Sequence, residues 1–392
     1  MTPYPGTLGA MEHLGFDIDR FLRGAWLLKG TDILLTVGAP PTIRIDGQLR
    51  AVSGEASIDE TRMVGLIGQV MNAEQRSVLE HKHEVDFAFS WEDKARVRGN
   101  AFHQRGMPAM ALRIIPNKIP DFDELGFPAT VREFAKLPQG LVLFTGPTGS
   151  GKSTSLAALI EWVNTHRSCH IITIEDPIEY MHDHRAAIVS QREVGIDTDS
   201  FERSLRAALR EDPDVILVGE MRDPESIAIT LTLAETGHLV FSTLHTNDAS
   251  QALDRMVDVF PAERQQQVRL QLASVLSAVV AQRLLPKVGG GMVAAFEVLV
   301  GNSAVRNLVR EGKTRQLRNT MIIGQGDGMQ TLEMDLNRLV QEGTVSYEDA
   351  ESRALVPNEI ERPGVYTGVA GTPPPPPPPP PPAPTYGTVP TV

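Results

Sequence analysis

One cysteine in 392 residues, Cys169, excludes a disulfide framework and any zinc site built on cysteines. Such a chain suits a reducing compartment. Basic charge is also short: 37 Lys and Arg stand against 49 Asp and Glu, a formal net charge of −12. Proteins whose main work is gripping nucleic acid usually carry a basic face, so this balance argues against that class, though not against a local basic groove. Nor does any run reach the roughly 20 apolar residues of a membrane-spanning helix. The longest candidate, around Leu270 to Leu285, is interrupted by Gln271, Ser274, Ser277, Gln282 and Arg283, and reads as an amphipathic core helix. The opening segment lacks the basic start and apolar block of a signal peptide. Membrane association is therefore expected only through a partner. No internal repeat at solenoid spacing is visible.

What is present is length enough for two domains and a tail. Residues 1–115 read as a small α+β domain. TDILLTV and TIRIDGQLRAV have strand patterns, with Asp46-Gly47 as a hairpin turn, and 59–80 has helical periodicity opened by a capping Asp59. VDFAFSW, ARVRGNAF and AMALRII resume the strands. Residues 116–128, with three prolines and little periodicity, are the expected linker. From 129 to 360 short apolar runs (LVLFT, HIITIED, DVILVGE, HLVFSTLH) alternate with helical stretches at 153–165, 200–211, 223–236 and 262–285. That alternation predicts a parallel sheet covered on both faces. VAAFEVLV reads as one more strand, and the stretch to about Leu355 as helical. Residues 361–392 are low-complexity, with ten prolines at 373–382. Such a run cannot build a core and is expected to form polyproline II, a stiff stretch of roughly 30 Å, in a disordered tail; the alternative is a docking segment for a proline-reading partner.

The sharpest motif is Gly146-Pro147-Thr148-Gly149-Ser150-Gly151-Lys152-Ser153-Thr154, placed after a strand and before a helix. This is the P-loop pattern in the context it requires. Its glycines let backbone N–H groups wrap a phosphate, and the helix N-terminus adds its positive end. Lys152 is the cation expected on the β/γ-phosphate oxygens of ATP, and the Ser153 hydroxyl a ligand for Mg²⁺.

Neighbouring strands in such a site are expected to end in acids. Val215–Val218 is followed by Gly219-Glu220, which makes Glu220 the candidate for Mg²⁺ or water placement. After IITI comes Glu175-Asp176-Pro177-Ile178-Glu179, three carboxylates around a proline. Glu179 is the first choice for orienting or deprotonating the water, with Glu175 and Asp176 in support. His238 and His245 bracket HLVFSTLH; taken alone, a histidine in such a place is more often structural than functional. Ser242 and Thr243 lie where a hydroxyl can sense a γ-phosphate. Arg203, Arg206 and Arg210 form a basic stripe, either a solvated face or an inter-subunit or phosphate-sensing contact.

Several blocks together resemble the secretion ATPase superfamily, and specifically the type IV pilus retraction (PilT-like) ATPases. They are TDILLTVGAPPTIRIDG, RVRGNAF, GPTGSGKST, TIEDPIEY, QREVG, ALREDPDVILVGEMRD, AETGHLVFSTLHTN and SAVRNLVREGK. The resemblance spans about residues 28 to 355. It implies an α/β chain: a PAS-like N-terminal domain joined to a RecA-like P-loop ATPase domain; the proline-rich tail lies outside it. It further implies a homohexameric ring with ATP between the two domains, docked at the inner face of the cytoplasmic membrane on the pilus platform protein. No specific nucleic-acid partner is implied.

In that family TIEDPIEY is the Asp box, which makes Glu179 the catalytic acid. The Gly219-Glu220 ending is an atypical Walker B. GHLVFSTLH is the His box, which gives His238 and His245 functional roles. Arginines of the N-terminal domain reach the phosphates, which leaves Arg96, Arg98 and Arg113 as candidates. Assembly and secretion ATPases commonly carry a four-cysteine zinc module, which this chain cannot form. His81/His83 and His182/His184 do not replace it. Residues 303–313 resemble the block associated with retraction motors. The runner-up reading is an ATPase for assembling a type IV pilus or a type II secretion-like filament. More distant rivals are a nucleic-acid translocase and a non-hydrolysing ATP-bound scaffold.

Overall fold

The structure, a computed structural model, describes residues 17–362 apart from 46, 47, 93 and 117. The Asp46-Gly47 turn and the polyproline tail therefore lie outside the described residues.

The first part runs α1 (Asp17–Leu27), β1 (Asp32–Thr36), β2 (Thr42–Ile45), β3 (Gln48–Ala51), α2 (Glu60–Val70), α3 (Ala73–Lys82), β4 (Glu84–Trp91), β5 (Ala95–Gln104) and β6 (Met107–Pro116). Its sheet is antiparallel throughout, in the order β3-β2-β1-β6-β5-β4. The period-2 pattern of β5 decides what each face does. Ala95, Val97 and Ala101 point into a core with Phe21, Met63 and Leu112. Arg96, Arg98 and Asn100 stand on the opposite face. Gly99 is needed where it is, because a Cβ there would lie 2.1 Å from the Phe87 ring.

The helix expected over 59–80 is two helices, broken at Met71, whose backbone is extended. Asn72 starts the second with a capping box closed by Gln75. That Asn-x-x-Gln signal stands in the sequence and outweighs the continuous periodicity.

The second part contains α4 (Ala129–Phe134), β7 (Gly140–Thr145), α5 (Lys152–His166), β8 (His170–Glu175), β9 (Ile188–Glu193), α6 (Phe201–Ala208), β10 (Val215–Val218) and α7 (Pro224–Glu235). It continues with β11 (Leu239–Leu244), α8 (Ala249–Asp258), α9 (Ala262–Val275), β12 (Leu276–Pro286) and β13 (Met292–Val300). Four helices follow: α10 (Ser303–Arg310), α11 (Leu317–Ile323), α12 (Leu332–Gln341) and α13 (Tyr347–Arg353). The sheet order is β13-β12-β7-β11-β10-β8-β9, parallel except for β13. Successive residues of β7 serve opposite layers. Leu141 and Leu143 pack with α7, α8 and α9, whereas Val142 and Phe144 pack with α4 and α5. Sheet and helices thus form the α/β arrangement expected.

The reading of 262–285 as one helix is corrected. The helix α9 stops at Val275, and Leu276–Pro286 is a strand between β7 and β13. A strand paired on both edges and covered on both faces loses the regular alternation of polar and apolar residues, and periodicity cannot then separate it from a buried helix. Among the described residues no helix is long and apolar enough to cross a membrane.

One buried charge gives the second part a pH signature. Glu297 on β13 is 3% exposed and accepts the Ala249 N–H at 2.8 Å. Burial pushes its pKa up to about 7, helped by Asp248 and Glu333 and opposed by the Ala249 N–H and Arg318. The folded state therefore holds a proton that the unfolded chain releases nearer 4.5. The stability this contributes is present in acid and lost as pH rises through 7. Glu297→Gln is expected to be more stable than wild type at pH 8, with the gap shrinking by roughly 2–3 kcal/mol at pH 5. Urea unfolding at the two pH values tests this; a pH-independent gap would contradict it.

Candidate functional site

Because β7, β8, β10, β11 and β12 run parallel, their C-terminal ends share one edge of the sheet. Segments 146–151, 175–179, 219–220 and 245–248 leave from that edge, where ligands of open α/β sheets are held.

The 146–151 loop is shaped by backbone that only glycine adopts freely: φ is 149° at Gly146, 79° at Gly149 and 87° at Gly151. Pro147, Thr148 and Gly149 form its exposed crest. The helix α5 begins directly behind it with no side-chain cap, so its first N–H groups face the loop. That is the arrangement that binds phosphate. Lys152, 7% exposed, folds back and donates through Nζ to the Gly146 and Pro147 carbonyls at 2.8 and 3.1 Å. Burial pushes its pKa down, and the Glu179 carboxylate works against this. The Ser153 side chain is exposed at the helix start, and the Thr154 hydroxyl meets the Tyr180 hydroxyl at 2.9 Å.

The two nearest acids differ in situation. Glu175, ending β8, accepts from the Thr173 hydroxyl at 2.7 Å, from Gln191 Nε2 at 3.2 Å and from the Glu179 N–H. Burial raises its pKa. Glu179 lines a small cleft with Ser153, Glu175, Tyr180, Gly219 and Thr243. The returning chain is clamped to α5, since His182 Nδ1 meets Glu161 at 2.8 Å and Asn164 Nδ2 donates to the Asp183 carbonyl at 2.7 Å. Gln191 adds a bond to the Tyr180 carbonyl at 2.8 Å.

Glu220, beyond β10, pairs with Arg222 and lies 3.2 Å from His245 Nε2. Burial, then the charges of Lys152 and Arg222, hold the His245 pKa below its ordinary value. A neutral imidazole with its proton on Nε2 donates to this carboxylate, which can only accept. The edge thus joins Glu220 and His245 into one unit beside the Lys152 cradle.

Other expected residues fall elsewhere. His238 sits at the opposite end of β11, its Nδ1 2.8 Å from the Leu233 carbonyl and 3.2 Å from the Thr236 hydroxyl. Six strand residues separate it from His245, about 20 Å of extended chain, so this chain does not bring it to the cradle. The Ser242 hydroxyl is buried and donates to the Val218 carbonyl at 2.9 Å, and Thr243 donates to that of Gly219. Both tie β11 to β10.

Of the three arginines, Arg96 reaches the second sheet. Its Nη2 meets Glu193 at 2.7 Å, with side chains 13% and 6% exposed, and Glu193 also accepts the Ile178 N–H at 3.2 Å. Arg113 pairs with Asp32 at 2.8 Å, and Arg98 lies across from Arg113 on the neighbouring strand. Arg203 and Arg206 pair with Asp199 and Glu202 one helical turn away, as a solvated face would. Among the described residues no group of three or more His, Cys, Asp or Glu is placed to hold a metal by itself. The sequence reading missed Gln191, Arg222 and Gln282. Gln282 was hidden in the run read as helix.

Residues 42–315 match the model of the family described as type II/IV secretion system protein. The chain is 46% identical over 341 residues to the type IV pilus retractation ATPase PilT of Pseudomonas aeruginosa, covering 87% of this chain and 99% of that one. It is 48% identical over 336 residues to a twitching motility protein of Neisseria gonorrhoeae, covering 84% and 89%. Among solved structures, the pilus retraction motor PilT with bound ADP superposes with a TM-score of 0.83 at 48% identity, covering 88% of this chain and 98% of that one.

Proposed function

The chain belongs to the type II/IV secretion system protein family, and from that premise we propose how it works as the ATP-hydrolysing motor of type IV pilus retraction. One observation carries the chemistry: the phosphate cradle of Lys152, the cleft of Glu179 and the Glu220–His245 pair converge on one sheet edge.

ATP lies with its phosphates under the 146–151 N–H groups. Lys152 gives up its contacts to the Gly146 and Pro147 carbonyls for the β/γ-phosphate oxygens. Glu179 orients a water for in-line attack on the γ-phosphorus and takes its proton as the bond to the β–γ bridging oxygen breaks. ADP and phosphate leave. His245 holds Glu220 in place. Mg²⁺ suits the hard oxygen donors here, because the Ser153 hydroxyl shares its cleft with Gly219, the residue before Glu220. Ser153 and Glu220 would hold it, and when bound it neutralises phosphate charge. Arg96 leaves Glu193 to approach the phosphates when the N-terminal part closes.

The motor acts as an oligomer, which we propose is a ring of six at the inner face of the cytoplasmic membrane, on the pilus platform protein. The moving parts are proposed to be an N-terminal domain (1–115) and an ATPase domain (129–360), turning about the 116–128 segment. His238, remote from its own cradle, is proposed to serve across the ring.

The test is a count of surface pili in cells whose sole copy carries Lys152→Ala. An excess of pili that never shorten is expected. Loss of pili would mean that the motor assembles the filament.

A further inference from the structure

The strand β12 does more than extend the sheet. Its Ala281 is in register with Thr145 of β7, so Gln282 stands beside the first residue of the phosphate loop. This side chain is 3% exposed. Its Oε1 accepts from the Ser155 hydroxyl at 2.7 Å, and its Nε2 donates to the Ser150 carbonyl at 2.7 Å. One amide therefore holds both the loop and the first turn of α5, where the Ser155 N–H also closes on the Gly151 carbonyl at 3.0 Å.

The consequence follows from peptide geometry. The Ser150 C=O and the Gly151 N–H belong to one planar trans unit and point in opposite directions. Pinning that carbonyl toward β12 aims the Gly151 N–H away from β12, on the side of the cradle. Without the brace this peptide is free to turn and present its carbonyl to an incoming phosphate, where like charges repel.

The fit is close on both sides. A Cβ at Gly146 would lie 2.4 Å from the Gln282 carbonyl oxygen, and one at Gly151 would lie 2.8 Å from Gln282 Nε2. Two of the loop's glycines are thus required by β12 as well as by their own dihedral angles.

We propose that Gln282 is a positioning residue for nucleotide binding, fixing the Ser150–Gly151 peptide and the start of α5 before the nucleotide arrives. The proposal rests on the ATPase reading of the cradle. It identifies Gln282 as a determinant of phosphate affinity lying outside the 146–154 motif. A pre-set loop binds more tightly than one that must be ordered during binding.

The test uses the full chain and ADP with Mg²⁺. Gln282→Met preserves length and removes both hydrogen bonds. Gln282→Glu keeps the acceptor for Ser155 and sets a carboxylate oxygen against the Ser150 carbonyl. Both are expected to weaken ADP binding by calorimetry about 10- to 100-fold, the scale for leaving a buried polar group unpaired. The nucleotide-free melting midpoint should stay within a few degrees of wild type, whereas the rise produced by saturating ADP shrinks. A purely structural role would do the reverse, lowering the midpoint and sparing the affinity of the folded fraction. Wild-type ADP affinity in folded Gln282→Met overturns the proposal. Should that variant not fold, Ser155→Ala removes one of the two bonds and is expected to cost roughly 3- to 10-fold in affinity; unchanged binding there overturns it equally. Failure of the wild-type chain to bind ADP would instead remove the nucleotide reading itself.

Discussion

Glu220→Gln is expected to bind ATP within a few-fold of wild type and to hydrolyse it about 10²–10³-fold more slowly, the usual loss when one preorganised transition-state contact is removed. Binding survives because the parts proposed to hold the phosphates lie elsewhere. They are the 146–151 N–H groups and Lys152, and neither contacts Glu220 in the structure. Hydrolysis fails because a neutral amide cannot take up the carboxylate's place next to a cation. The substitution also changes His245, whose Nε2 lies 3.2 Å from the carboxylate and which an amide holds less firmly. Phosphate release with saturating ATP, alongside calorimetry with a non-hydrolysable analogue, separates the two effects. Equal losses of affinity and turnover would place Glu220 in nucleotide binding instead, and wild-type turnover would end its role altogether.

What the sequence disclosed and what it concealed divide along physical lines. The P-loop, the 175–179 acids and Glu220 were legible because strand, turn and helix signals surround them, and local chemistry placed them at strand ends. The 262–285 run was not, because Leu276–Pro286 is buried on both faces and loses the alternation that marks a strand. Gln282 went unread with it. Its partners, Ser150 and Ser155, lie about 130 residues away in sequence, and only the β12–β7 pairing brings them together. His238 illustrates the opposite limit. Its place beside His245 in one motif suggested one site, yet the strand between them sets them at opposite edges of the sheet. Asn72 is a third kind of case, since its cap signal was present in the sequence and decides the structure, but the longer periodicity masked it in the reading.

Glu179 and Glu175 sit four residues apart in one loop, and their replacement by glutamine is expected to have unequal effects. Glu175 is held by the Thr173 hydroxyl, Gln191 and the Glu179 N–H, and burial raises its pKa, which favours the protonated form. A carboxyl so engaged shapes the loop but is poorly suited to accept a proton from water, and an amide reproduces its shape. Glu175→Gln should therefore keep turnover within about tenfold of wild type, a loss no larger than one net hydrogen bond. Glu179 lines the cleft beside Ser153, and its charge acts on Lys152 and on the Tyr180 hydroxyl. Glu179→Gln removes the proposed general base and should lower turnover about 10²–10⁴-fold. If Glu175→Gln is the inactive variant and Glu179→Gln keeps turnover within about tenfold of wild type, the water is activated from the end of β8, and Glu179 serves only to hold Lys152.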